Sequence, residues 1–178
     1  MSVIKETLSV PALACVEKLK SLDLSSIAAY LMNPQNGYGW TRQRAFCAIR
    51  RYKTFLFVSY LYPKISLVPT QDIDYLWHCH ILHTRKYRQD CETIFGYFID
   101  HEPNSELWGE ANEPILDNAF AQTEALLSQF EGCFEESVLG EAKLPQSLNR
   151  TKSQLQEGND ANHWNLHLYR SACGRPNR

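Results

Sequence analysis

The sequence has no glycine-rich phosphate loop, no G-x-S-x-G nucleophile elbow and no aromatic RNA-recognition motif. Those absences remove the usual signatures of phosphate-loop nucleotide hydrolases, α/β-hydrolases and RNA-recognition domains. Glycine itself is scarce, 8 of 178 residues. The six cysteines (Cys15, Cys47, Cys79, Cys91, Cys133 and Cys173) are scattered without a C-x-x-C pair, which excludes a zinc ribbon or a thioredoxin motif. The longest apolar run, around residues 55–61, falls far short of the ~20 residues that span a bilayer. The opening MSVIKETLSV lacks an apolar h-region, so a cytoplasmic protein with reduced thiols is expected, with no membrane partner. A formal net charge of −2 supplies no global field towards nucleic acid, which is therefore not expected as a partner.

What is present is a folding composition: 44% hydrophobic and 12% aromatic residues, in a chain long enough for one good core. Periodicity and punctuation predict a mainly α, single-domain, irregular bundle of about six helices with a short extended connector. Residues 10–32 read as helical with a break at 21–25, and Asn33-Pro34 with Gly37 and Gly39 ends that region. Thr41 caps a helix that Pro63 stops, its second half apolar enough to be buried nearly all round. Residues 65–68 form the connector. Thr70 caps a helix to about His83, Thr84 a second one to Phe95, and Gly96 stands at the left-handed C-terminal position. A further helix lies within 111–134. Residues 1–135 are expected as the core domain, with 136–178 a polar loop and short C-terminal helix packed on it.

Charge is uneven. Arg42, Arg44, Arg50, Arg51 and Lys53 cluster, whereas residues 100–136 carry ten acids and no lysine or arginine. These basic 42–53 and acidic 100–136 surfaces attract each other, are simply solvated, or dock a charged protein partner.

The segment 68–103 concentrates the chemistry: four of six histidines (His78, His80, His83, His101), Cys79, Cys91, Asp72, Asp74, Asp90 and Asp100. On a helix, Ile73, Leu76, Trp77, His80 and Ile81 share the core-facing stripe, so His80 needs a buried partner: a carbonyl, a carboxylate or a metal. His78 lies ~200° away from it, and the two rings reach one ion only if the helix is wedged or distorted. Asp74, one turn before His78, has the spacing to hold that imidazole in one tautomer, or to form a plain surface ion pair. His83 suits a C-terminal cap. His101 sits in a loop that a short return helix brings back alongside His80. Cys91 is a soft ligand, a nucleophile or core. Histidines and carboxylates with at most one thiolate suit Zn, Fe or Cu better than Ca or Mg. His163 and His167, at i, i+4, form a weaker second pair, and Trp164 breaks the H-E-x-x-H pattern.

Asp72-Ile73-Asp74, Trp77-His78-Cys79-His80, Tyr87, Asp90-Cys91, Phe95-Gly96 and His101 together resemble the glycine-rich domain-containing protein-like family, a domain of unknown function. The resemblance covers roughly residues 38–103 and is to a stand-alone, bacterial-type member. It implies that Asp74, His78, His80, Cys91 and His101 act together; it supplies no reaction. The leading expectation is a metal-binding protein, a metal-dependent enzyme of oxidoreductase or hydrolase type acting on a small molecule or peptide. In it His78, His80 and His101 are ligands, Asp74 orients His78, and Cys91 is a fourth ligand or nearby thiol. The alternative is a non-enzymatic protein-interaction module whose His/Asp network is structural. A small RNA-associated protein is a third reading, resting on the basic cluster and on what the resemblance implies for plant members of that family, larger proteins with glycine-rich tails and possible RNA binding.

Overall fold

A computed structural model describes residues 8–101 and 113–134. The chain divides into two units, Met1–Ala142 and Lys143–Arg178, and every described residue lies in the first. The expected loop and helix of 136–178, with His163 and His167, fall outside the described residues.

Among the described residues six α-helices follow in order: α1 (Val10–Ser21), α2 (Ser25–Met32), α3 (Arg42–Leu61), α4 (Gln71–Leu82), α5 (Thr84–Phe95) and α6 (Glu113–Phe130). A 3-10 turn, Glu131–Phe134, ends the series. Among the described residues there is no strand, so the fold is mainly α as the periodicity predicts.

The break between α1 and α2 falls where Asp23 offers a side-chain acceptor, its Oδ1 taking the Ser25 amide at 2.9 Å. After α2, Asn33 Oδ1 accepts from the amides of Gln35 and Asn36 and turns the chain. Gly37 closes that turn, where a Cβ would run into the Tyr30 carbonyl oxygen, so only glycine fits.

α3 is the axis. It touches α1, α2, α4, α6 and the 3-10 turn. Residues 52–58 are buried without a gap, which is why they show no polar face. Phe57 meets Phe130 and Phe134 edge-on, at centroid distances of 5.5 and 6.1 Å, and Phe55 meets Trp77 at 5.1 Å. Lys53, inside that run, donates from Nζ to the Lys20 carbonyl at 3.0 Å. A cation from α3 thus satisfies an orphan carbonyl at the C-terminus of α1. Burial lowers its pKa from 10.5 to about 8, with Asp23 opposing.

The start of α4 is pinned to α3 by Arg44, whose Nη2 donates to Asp72 Oδ1 at 2.7 Å while its guanidinium lies over Trp40. Thr70 occupies the N-cap, yet its hydroxyl makes no capping bond; Asp72 and Asp74 supply the negative charge of the first turn. Thr84 is not the cap of α5 but its first residue. His83 alone joins the two helices, as C-cap of α4 and N-cap of α5. Its amide bonds Cys79 and His80 carbonyls, and its Nδ1 lies 2.7 Å from the Cys79 oxygen, so no second residue is needed. α5 ends at Gly96, φ 80°, as the sequence predicts. The 66–70 connector is tied to α6 where the buried Val68 amide donates to Thr123 Oγ1 at 2.9 Å.

Candidate metal centre

Asp74 lies in the first turn of α4 and His78 one turn on, so both project to one side of the helix. The joint at His83 and the left-handed Gly96 send the chain back past α4, and His101 arrives from this return. His101 Nε2 lies 2.8 Å from Asp74 Oδ1 and 3.1 Å from His78 Nε2; His78 Nε2 lies 3.5 Å from the same Oδ1. Among the described residues these three form the group that could hold a metal ion.

The triangle has the right size for such an ion. Ligand atoms about 2.1 Å from a common centre stand roughly 3.0 Å apart on an octahedral face and roughly 3.4 Å apart at tetrahedral corners. The observed 2.8, 3.1 and 3.5 Å bracket both. Without an ion, two ring nitrogens and one carboxylate oxygen must share protons in the space between them. Exposure is graded as well: the Asp74 side chain is 3% exposed, His101 13% and His78 41%. The carboxylate is the buried floor and His78 the solvent side.

His80 stands apart from this group. Its Nδ1 lies 3.0 Å from the Tyr52 hydroxyl and its Nε2 2.9 Å from Asp90 Oδ2. Burial lowers its pKa, although the hydrogen bond and charge of Asp90 pull it up. Burial also holds the Tyr52 phenol well above its ordinary value, so that hydroxyl stays a donor. One assignment satisfies everything: a neutral imidazole accepts from Tyr52 at Nδ1 and donates to Asp90 from Nε2. The Asp90 charge is met by Lys86 Nζ at 2.9 Å. The position that the helical stripe gives His80 is correct, and its partners are a phenol and a carboxylate.

Cys91 is buried, and that desolvation raises its thiol pKa. A raised thiol is a poor nucleophile and a poor ligand at neutral pH. Two residues outside the expected ligand set link the two histidine groups. The Trp77 ring packs against His101 at 4.3 Å, and Trp77 Nε1 donates to the Tyr87 hydroxyl at 2.9 Å. That hydroxyl donates to the Ile99 carbonyl at 2.6 Å, and the Tyr87 ring meets His80 edge-on at 4.9 Å. Both aromatics stand on core stripes in the sequence, and the signal that they do more is polar: a buried indole N–H and a buried phenol each need a partner. Tyr52 carried the same signal within the aromatic row of α3.

The fold and this site define a helical domain with a candidate two-histidine, one-carboxylate centre. Residues 39–121 match the model of the UCP032817-like family. Relatives include "Glycine-rich domain-containing protein 1" of Arabidopsis thaliana, 34% identical over 82 residues, which is 44% of this chain and 10% of that protein. "Glycine-rich domain-containing protein 2" of the same plant is 33% identical over 82 residues, again 44% of this chain and 10% of the relative. The resemblance to the glycine-rich domain-containing protein-like family therefore holds, and the stretch matched by the family model includes every residue of both histidine groups. The chain spans about 10% of the length of the curated relatives it matches. No solved structure matches it.

Proposed function

We propose that Asp74, His78 and His101 bind one transition-metal ion, Fe, Cu or Zn, and that the metal-loaded protein is an enzyme of oxidoreductase or hydrolase type. The observation that carries this reading is the convergence of His78 Nε2, His101 Nε2 and Asp74 Oδ1, from two chain segments, at 2.8 to 3.5 Å. Three protein ligands leave coordination positions for water or substrate, as catalytic rather than structural sites do. The half-exposed His78 puts that open side within reach of a small molecule or the end of a peptide. A metal there would acidify a bound water or polarise a substrate oxygen.

Metal content tests it. Purified protein reconstituted with Zn2+ or Fe2+ and desalted is expected to retain one equivalent, which chelator removes. His78→Ala and His101→Ala should each lose most of it, and Asp74→Asn should bind far more weakly. Retention of a full equivalent by both histidine variants would remove these ligands from the reading.

A second reading, a protein-interaction module with a structural His/Asp network, is favoured by one group only. His80, Tyr52 and Asp90 satisfy one another with no metal. Part of the basic 42–53 and acidic 100–136 surfaces is likewise spent internally, since Arg51 Nη2 holds both Glu124 oxygens at 2.6 and 2.7 Å. If that reading holds, chelator leaves the melting temperature unchanged.

A further inference from the structure

We infer that Tyr87 is a positioning residue of the metal site: its single hydroxyl oxygen sets both the path of the 97–101 segment and the ring of His101. The inference rests on the metal reading above. His101 is the one ligand outside α4, so the site exists only if this segment is held in place after Gly96 turns the chain. The hold is at Ile99, two residues before the ligand. Its carbonyl accepts from the Tyr87 hydroxyl at 2.6 Å. The same oxygen accepts from Trp77 Nε1 at 2.9 Å and so fixes the indole whose ring lies 4.3 Å from that of His101. Both restraints on His101 thus trace to one buried atom on α5.

Phenylalanine at position 87 keeps the ring that packs on His80 and on Phe98, and deletes only the oxygen. Tyr52→Phe is the matched control: it also deletes a buried hydroxyl, one bonded to His80 and not to the His101 segment. Co2+ titration of the intact chain, followed by visible absorption, compares the variants. Tyr87→Phe is expected to weaken Co2+ binding roughly 10- to 100-fold, the range for residues that orient ligands. Trp77→Phe should weaken it in the same direction. Tyr52→Phe should lower the metal-free melting temperature as Tyr87→Phe does, yet keep its Co2+ affinity within about twofold.

A metal-free readout runs alongside. The His101 ring proton signals, displaced by the Trp77 ring current, should move towards free-histidine positions in Tyr87→Phe and stay put in Tyr52→Phe. Unaltered Co2+ affinity in Tyr87→Phe, or an equal loss in Tyr52→Phe, would overturn the assignment. Should the wild-type protein take up no Co2+, the metal reading fails, and the His101 signals still decide whether Tyr87 holds the segment.

Discussion

Two histidines two positions apart on α4 have opposite fates, and helical geometry is the cause. His80 faces the core and His78 faces outward, so each draws a different carboxylate: Asp90 from α5 for the first, Asp74 from its own helix for the second. His80→Ala would leave the Tyr52 hydroxyl and Asp90 without their partner and open a cavity. It is expected to cost on the order of 2–4 kcal/mol in denaturant unfolding and to leave metal content unchanged. Lys53 gives a pH test with a definite sign. Below its folded pKa of about 8 the lysine is charged in both states and the full cost of burying that charge is present. Between about 8 and its ordinary 10.5, the unfolded chain binds the proton that the folded chain has released, so this group makes stability rise with pH. Buried cysteines act the other way: burial pushes Cys15 from 9.0 to about 11, and stability falls as pH rises through that window. The lysine contribution is therefore read by difference. Wild-type stability minus that of Lys53→Met should grow by on the order of 2–3 kcal/mol from pH 8 to 10.5. A flat difference would mean that Lys53 titrates as if exposed.

At the scale of elements, the sequence is legible where one force dominates. α3 shows its burial because seven consecutive residues, 52–58, have nowhere else to go. Gly96 announces itself because its backbone adopts φ 80°, which side chains resist. Gly96→Ala is expected to cost about 1 kcal/mol, since nothing stands within 4 Å of a Cβ there and only the backbone conformation objects. Gly37→Ala should cost clearly more, because the added atom meets the Tyr30 carbonyl as well. Paired thermal unfolding of the two variants checks the order. Less legible is the joint between α4 and α5. Thr84 has the chemistry of a cap, but His83 holds the cap position of both helices, its ring reaching back to the Cys79 carbonyl of α4, a bond that spacing alone cannot rank. The ligand set has the same limit. Which of two nearby imidazoles meets His101 depends on how the chain returns after α5, where the Tyr87 hydroxyl bonds both Trp77 and the Ile99 carbonyl.

At the largest scale, the described residues of the first unit form one central helix with the candidate site on the α4–α5 hairpin beside it. No described helix is long and apolar enough to cross a membrane. Arg44 with Asp72 and Arg51 with Glu124 join segments 28 and 73 residues apart, so α4 and α6 are both oriented on α3 by guanidinium–carboxylate pairs. The matched stretch 39–121 contains Arg44, Asp72 and Arg51 together with the three candidate ligands, and ends just before Glu124. The proposed metal centre has two histidines and one carboxylate, with no sulfur in it. X-ray absorption at the metal edge of the reconstituted protein tests this most directly. It is expected to show two imidazoles and oxygen donors near 2.0–2.2 Å. A sulfur shell near 2.3 Å, or a spectrum that persists unchanged in His101→Ala, would contradict it.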